Sequence, residues 1–338
     1  MKTIVTHQGG VRLEERPEPS VTEHPRRVQV KVSYSLISPG TELGLLANPA
    51  VPDGFALGYS AAGVVQEVGS AVEGFKPGDY VACYGGPYVY HAETLSVPEM
   101  LCVKLSGPEL LREAAFVGLG SVAVHSVRRL SRQFGETVWV AGLGVLGLLI
   151  AQLGDRANYR VFATDMKDER LQLAKACGVE DAYRADDPQL AERIRAYTDG
   201  HGFDSIALCA HSANPKLIES CMQHLAFRGT FALIGNVPIQ FSRDLFFAKE
   251  ADFVIARGAG PGRYDRQYEE ECLDYPKSYV RWTEGRNMQE FIRNVENGRV
   301  AIRPMVTHEF ALGDAVEAYE MLKREASSAL GVLIRYAE

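Results

Sequence analysis

The sequence has no cysteine pair spaced for a zinc knuckle or a disulfide framework. Its six cysteines are scattered, and none stands at C-x-x-C spacing to another. Basic residues are in deficit, with 36 Lys and Arg against 43 Asp and Glu and a formal net charge of −7. A mildly acidic chain has no general attraction for nucleic acid or anionic lipid, so neither is expected as a partner.

Long hydrophobic runs are also lacking. The longest uncharged apolar run, residues 138–154, is interrupted by glycines and is shorter than the ~20 residues of a membrane span. The first residues carry no apolar segment with a signal cleavage pattern, so we expect a cytoplasmic protein without a membrane partner. The length of 338 residues suggests about two domains, at ~150 residues per domain.

The predicted secondary structure changes along the chain. The first hundred residues hold short Val-, Tyr- and Thr-rich runs between turn signals, which predict a compact antiparallel barrel. Residues 109–134 predict two helices separated by Gly118 and Gly120. Strands and helices then alternate to about residue 258, as in a doubly wound parallel sheet. Two helices and two strands end the chain, so the predicted fold class is α/β.

The most specific motif is a glycine pattern between the strand TVWVA and an apolar helix. Gly142, Gly144 and Gly147 form G-x-G-x-x-G, with Leu143, Val145 and Leu146 as its other members. In this context the first glycine permits a tight turn, the second admits a pyrophosphate, and the third lets the helix lie close to the strand. The simpler alternative is a turn that only packs the helix on the strand.

Further candidates for cofactor binding follow the later strands. Asp165 ends the second strand, where a carboxylate accepts hydrogen bonds from ribose hydroxyls and repels a 2′-phosphate, so NAD is favoured over NADP. Nearby cationic residues weaken that preference. Two other candidates, Met166 and Arg170, follow the same strand. The remaining candidates, His211, Gly235 and Asn236, lie at or just after the ends of later strands.

Several segments resemble the medium-chain dehydrogenase/reductase superfamily of zinc alcohol and polyol dehydrogenases. ISPGTELG is similar to the family's C-G-T-D segment, LGYSAAGVVQEVGSAVEGFKPGDYVA to its G-H-E-x-x-G segment, and FVGLGSVAVH to a polyol dehydrogenase segment. The stretch from GPGRYDRQYEE onward resembles a narrower group that is the dehydrogenase half of bi-domain oxidoreductases. The resemblance implies a GroES-like barrel domain over residues 1–112 and 259–338 and a Rossmann domain over 113–258.

The resemblance also implies four zinc-ligand positions, and the residues there depart from the family. They hold Pro39, Tyr59, Ser60 and Gly118 in place of Cys, His and Glu. Pro and Gly side chains cannot coordinate zinc, and Tyr and Ser are poor substitutes. We therefore predict a zinc-independent protein with no metal ligands.

Without zinc, hydride transfer still needs a proton donor and a group that stabilises an oxyanion. By position, Tyr59 is the predicted catalytic residue, with Ser60 beside it. Thr41 matches the family's proton-relaying hydroxyl, and Glu42 matches a neighbouring acid that acts as base or holds a cation. The alternative is that Tyr59 packs as an ordinary aromatic residue and Glu42 is a structural ion-pair partner.

Three functions are compatible with this reading. The first is an NAD-dependent oxidoreductase that interconverts a secondary alcohol and a ketone, with a small-molecule substrate that is a polyol, sugar or sugar derivative. The second is a zinc-free quinone or enoyl C=C reductase. The third is a non-catalytic nucleotide-binding protein. The aromatic and cationic segment after Gly260 suits either carbohydrate binding or a subunit interface, so a homodimer or homotetramer is expected.

Overall fold

The computed structural model describes residues 1–325 and 329–337. The chain forms two compact units. The first comprises Met1–Ser121, Gly260–Gly298 and the chain from Met305 onward, and the second comprises Val122–Ala259 and Arg299–Pro304. Residues 113–121, which the sequence assigned to the Rossmann domain, therefore pack with the first unit.

The first part of the chain is mainly strands. Its elements are β1 (Lys2–His7), β2 (Gly10–Glu15), β3 (Arg27–Ile37), α1 (Pro39–Ala47), β4 (Ser60–Val68), β5 (Tyr80–Tyr84), β6 (Thr94–Pro98), β7 (Cys102–Lys104), α2 (Leu111–Ala114) and α3 (Val117–Arg129).

The middle of the chain alternates strands and helices. Its elements are β8 (Thr137–Ala141), α4 (Val145–Arg156), β9 (Arg160–Asp165), α5 (Asp168–Ala176), β10 (Ala182–Arg184), α6 (Leu190–Tyr197), β11 (Phe203–Leu208), α7 (Leu217–Met222), β12 (Leu225–Leu233), α8 (Arg243–Lys249) and β13 (Asp252–Ile255). The last part holds α9 (Arg266–Glu269), α10 (Glu284–Glu296), β14 (Val306–Ala311), α11 (Ala315–Glu325) and β15 (Gly331–Arg335).

The first unit is built around a sheet in the order β14-β15-β3-β4-β5-β7, with β6 also paired to β3. Its pairs are antiparallel except β14 with β15. Along β3, Val28, Val30 and Val32 are buried while their neighbours are more exposed. This period of two turns one face of the strand to the core.

The second unit contains a parallel sheet in the order β10-β9-β8-β11-β12-β13. Every residue of β8 is buried, as expected for a central strand covered by helices on both faces. The strand order reverses between β8 and β11, and ligands bind beyond the carboxyl ends of the strands at such a reversal. The predicted α/β class and doubly wound sheet are confirmed.

The prediction that Gly118 and Gly120 separate two helices is wrong. Both lie inside α3, where their missing side chains allow close packing. A Cβ atom at Gly118 would lie 2.8 Å from the Ser60 side chain, and one at Gly120 would lie 2.4 Å from the Phe291 ring. β2, α1, β7, β10, α8 and α9 were not predicted.

No single helix in residues 1–325 and 329–337 is long and apolar enough to cross a membrane. One bent pair, Pro108–Ala114 with Val117–Arg129, passes the length and composition test jointly.

Candidate active site

The glycine turn of the second unit joins β8 to α4 as the sequence predicts. Gly142 has a φ of +100°, which favours glycine, and its N–H donates to Thr164 O at 2.8 Å. A Cβ atom at Gly147 would lie only 1.9 Å from Gly142 O, so this glycine is needed for α4 to approach the turn. A Cβ atom at Gly144, in contrast, would meet nothing within 4 Å.

The open side of Gly144 lies at the N-terminus of α4. Gly144 is the N-cap residue and makes no side-chain capping bond, so the first N–H groups of the helix face outward without a capping side chain. Leu143 and Val145 are buried and offer a ligand their backbone only, while Leu146 is half-buried. The N-terminus of α4, with its unpaired N–H groups and the open space beside Gly144, is suited to bind a pyrophosphate.

Asp165 lies beside this turn at the end of β9. One carboxylate oxygen accepts the Leu143 N–H at 2.7 Å, and the other accepts the Lys167 N–H at 3.1 Å. These bonds hold the carboxylate at the glycine turn, where a ribose follows the pyrophosphate. Arg170 is buried nearby, and burial lowers its pKa although the charge of Asp165 opposes that shift. Met166 is 57% exposed.

The remaining cofactor candidates lie at the carboxyl ends of β11 and β12. The N–H groups of Cys209 and Ala210 donate to Ala141 O at 2.8 and 3.0 Å, which ties the end of β11 to the end of β8. A Cβ atom at Gly235 would lie 2.0 Å from Ala210 O, so only glycine fits there.

Two exposed side chains follow these strand ends. The N–H of Ser212, next to the exposed His211, donates to the backbone oxygen of the exposed Asn236 at 3.2 Å. The structure therefore brings the predicted cofactor residues to one edge of one sheet.

A separate cluster of hydroxyl groups lies in the first unit, and we call Ser38, Thr41 and Tyr59 the hydroxyl cluster. The Tyr59 hydroxyl donates to Ser38 Oγ at 2.7 Å, and the Thr41 side chain also bonds to it. Burial raises the pKa of Tyr59 to about 12, aided by the charge of Glu42 and opposed by the bonds to Ser38 and Thr41. The phenol is therefore neutral near pH 7 and keeps its proton in the hydrogen bond to Ser38.

Glu42 stands behind this cluster in a buried network. Its carboxylate accepts the Ser38 N–H at 2.7 Å, contacts His91 Nε2 at 3.1 Å and accepts the Tyr319 hydroxyl. His91 Nδ1 continues the network to Ser35 Oγ at 2.7 Å. Glu42 is 1% exposed. These contacts favour a structural role for Glu42 over the predicted role as a base, because hydrogen bonds within the protein already occupy its carboxylate.

Ser60 is committed in the same way. Its Oγ donates to Ala115 O at 2.6 Å and accepts the Gly118 N–H at 2.8 Å, and the residue is 2% exposed. Its proton is held by a backbone carbonyl, so the structure disfavours a catalytic role. Sequence reasoning missed Ser38, although this hydroxyl residue lies within the ISPGTELG segment, directly before Pro39.

We expect Glu42→Gln to lower the free energy of unfolding by about 2–4 kcal/mol, because it disrupts a buried charged network. Urea unfolding measures this, with exposed Glu192→Gln as the control. Turnover should fall less than tenfold, since Glu42 only positions Ser38. A thousandfold loss of turnover at unchanged stability would instead establish Glu42 as the base.

Comparison with known proteins supplies the family. The alcohol dehydrogenase GroES-like domain matches residues 24–127, and the zinc-binding dehydrogenase domain matches residues 145–271. D-xylulose reductase A of Aspergillus niger is 31% identical over 75% of this chain and 81% of its own length. The chain belongs to the medium-chain dehydrogenase/reductase superfamily.

Other known dehydrogenases are similar to this medium-chain dehydrogenase over nearly its whole length. Sorbitol dehydrogenase of Gallus gallus is 26% identical over 95% of this chain and 93% of its own length. The structure of alcohol dehydrogenase TADH from Thermus sp. ATN1 covers 100% of both chains with a TM-score of 0.79 at 21% identity. The chain is therefore an oxidoreductase of the medium-chain type with a nicotinamide cofactor, and the predicted GroES-like and Rossmann folds are confirmed.

The zinc that this family's name implies does not fit the residues of this medium-chain dehydrogenase. Within residues 1–325 and 329–337, no group of three or more His, Cys, Asp or Glu side chains could hold a metal ion. The positions matched to ligands hold Pro39, Tyr59, Ser60 and Gly118, and the Ser60 hydroxyl is bonded to the backbone. This donor set lacks the nitrogen, sulfur and carboxylate ligands of catalytic zinc.

Proposed function

We propose that this enzyme interconverts a secondary alcohol and a ketone with NAD(H) and without zinc. The observation that carries the proposal is the Tyr59 hydroxyl, which donates to Ser38 at 2.7 Å. By the resemblance, Tyr59 stands at the position of a zinc-binding His. A neutral phenol polarises a carbonyl by hydrogen bonding and supplies a proton, which are the two tasks that zinc otherwise supports.

We assign the proton chemistry of the reaction to the hydroxyl cluster. A nicotinamide supplies or accepts the hydride when it is bound. In ketone reduction, the Tyr59 hydroxyl exchanges its hydrogen bond to Ser38 for one to the carbonyl oxygen and gives its proton to the alkoxide that forms. An alkoxide is far more basic than a phenol with a pKa of about 12, so this transfer is favourable. The exposed Thr41 hydroxyl, bonded to Tyr59, returns a proton from solvent.

The proposed substrate is a polyol, sugar or sugar derivative. Two relatives support this class by name, a sorbitol dehydrogenase and a D-xylulose reductase. The hydroxyl cluster is consistent with this substrate class. A hydroxyl group can both donate and accept hydrogen bonds, as can each hydroxyl of a polyol.

Turnover of a substrate panel tests this proposal. Purified protein with NAD⁺ or NADP⁺ would be offered sorbitol, xylitol, galactitol and 2-butanol, and with NADH or NADPH it would be offered ketoses, quinones and enones. We expect the change in nicotinamide absorbance with polyols and ketoses. Reduction of quinones or enones alone would establish a C=C reductase. Tight cofactor binding without any turnover would establish a nucleotide-binding protein.

We expect Asp165→Ala to weaken NAD⁺ binding by tenfold or more and to leave NADP⁺ binding unchanged or tighter. The loss corresponds to charge-assisted hydrogen bonds to the ribose, worth roughly 1.5–3 kcal/mol. Asp165→Asn is the matched control, because it keeps an acceptor for the Leu143 N–H while removing the charge. Isothermal titration measures both constants, and equal losses for the two nucleotides would contradict the ribose role.

The oligomeric state is part of the same proposal. We expect a homodimer or homotetramer, which light scattering of the purified protein measures directly.

A further inference from the structure

Beyond the hydroxyl cluster, the first unit holds a row of aromatic and cationic side chains that the reaction does not use. The Tyr59 ring meets the Tyr84 ring edge-on, with centroids 5.9 Å apart and planes at 77°. The Arg263 guanidinium carbon lies 5.5 Å from the Tyr84 centroid and 4.1 Å from the Tyr264 centroid. The row therefore runs Tyr59, Tyr84, Arg263, Tyr264, from the proposed proton donor to an exposed ring.

Arg263 is a fixed support within this row. It donates to Glu269 and, at 2.6 Å, to the backbone oxygen of Gly86, and its side chain is 7% exposed. Burial acts to lower its pKa, but the charges of Tyr84 and Glu269 outweigh burial and raise it. The guanidinium is thus a permanent cation that holds the ring stacked on it.

The backbone at Tyr264 is strained. Its φ is +67°, although Tyr is not a glycine, and Gly260 and Gly262 just before it also have positive φ values. A bulky residue in this region is strained and persists only where its surroundings enforce it, often at ligand-binding sites. Here the Tyr264 N–H donates to Glu269 Oε1 at 2.9 Å, which fixes the turn.

The result is an exposed aromatic ring, supported by Arg263, at the end of the row that begins at Tyr59. Tyr264 is 58% exposed even though Arg263 lies over its ring. Its link to Tyr59 is the series of ring and cation contacts through Arg263 and Tyr84. An apolar ring surface beside hydroxyl donors matches a carbon chain that carries C–H groups on one side and hydroxyls along its edge.

We propose that Tyr264 is a substrate-binding residue that selects polyhydroxylated substrates by stacking on their C–H groups. This inference rests on the proposed function and adds the residue that distinguishes polyols from simple secondary alcohols. Tyr59 acts on the reacting oxygen, and Tyr264 holds the carbon chain that extends from it.

Substitution of the ring tests the assignment. Tyr264→Ala removes the ring but keeps a Cβ atom at the same strained backbone, and Tyr264→Phe keeps the ring. Tyr279→Ala is the matched control, because Tyr279 lies in the same segment and is 88% exposed. Isothermal titration with xylitol and sorbitol, in the presence of NADH, reports binding independently of turnover. Thermal unfolding and NAD⁺ titration confirm that each variant is folded.

We expect Tyr264→Ala to weaken binding of xylitol and sorbitol about tenfold, because the variant loses both the stacking ring and the phenol hydroxyl of Tyr264. Tyr264→Phe should retain most of the affinity, and Tyr279→Ala all of it. In kinetics, KM for polyols should rise for Tyr264→Ala while KM for 2-butanol is unchanged.

Three results would overturn the assignment. The first is unchanged polyol affinity in Tyr264→Ala. The second is a fall in molecular mass that accompanies every loss of affinity, which would make Tyr264 an interface residue. The third is a wild-type protein that binds neither polyol. The proposed function fails separately, when no alcohol or ketone in the panel is turned over, so the two failures are distinguishable.

Discussion

Tyr59→Phe should lower the turnover number by about 10²–10⁴-fold, the usual effect of removing a general acid. The substitution deletes one hydroxyl and keeps the ring, so the edge-on contact with Tyr84 survives. Loss of the bond to Ser38 should lower the free energy of unfolding by only about 1 kcal/mol. NAD⁺ affinity should not change, because the glycine turn and Asp165 belong to the other unit.

Single-turnover reduction of a ketose by bound NADH measures this effect without interference from product release. Tyr80→Phe is the matched control, since Tyr80 is a half-buried tyrosine on β5 outside the hydroxyl cluster. Equal rates for wild type and Tyr59→Phe would remove Tyr59 as the proton donor.

Gly147→Ala should both destabilise the second unit and abolish cofactor binding. Its Cβ atom would lie 1.9 Å from Gly142 O, so α4 or the turn must move. Overpacking typically costs about 1–3 kcal/mol, and a contact this short with backbone favours the upper end of that range. A turn that moves no longer presents the helix N-terminus to a pyrophosphate, so NAD⁺ affinity should fall at least a hundredfold.

Gly144→Ala should separate the two effects. Gly144 has a φ of −63°, which alanine adopts, and a Cβ atom there meets nothing within 4 Å. The melting temperature should therefore stay the same while NAD⁺ binding weakens, because the methyl group occupies the space left for the pyrophosphate. Thermal unfolding and NAD⁺ titration measure both, with exposed Gly74→Ala as control. Unchanged NAD⁺ affinity in Gly144→Ala would show that the turn only packs the helix.

The glycine turn and Asp165 were predictable because their determinants are local in sequence. Gly142, Gly144 and Gly147 lie within one turn, and the buried strand before them and the apolar helix after them are visible as runs of hydrophobic residues. The position of Asp165 follows from the length of one strand–helix–strand unit.

Thr41 and Tyr59 were predictable only through the resemblance, and the partners of Glu42 in the buried network were not predictable. Glu42 contacts His91 and Tyr319, which are 49 and 277 residues away in sequence. No local pattern encodes such contacts. Gly118 and Gly120 misled for the same reason, since their role depends on Ser60 and on Phe291 rather than on the helix that contains them.

Helix α1 was not predicted because its first residues are typical of a turn. It begins at Pro39-Gly40, a pair that usually signals a turn, although proline is also favourable at the first position of a helix. This helix places Thr41 and Glu42 one position apart, so that the Thr41 hydroxyl bonds to Tyr59 while the Glu42 carboxylate enters the core.

Metal removal tests the central claim most directly. The purified enzyme would be dialysed against a chelator, its zinc content measured by mass spectrometry, and its rate of polyol oxidation with NAD⁺ compared before and after. We expect zinc far below one atom per chain and an unchanged rate, because side-chain hydroxyls supply the proton chemistry. A rate that is lost with the chelator and restored by one zinc per chain would contradict the account.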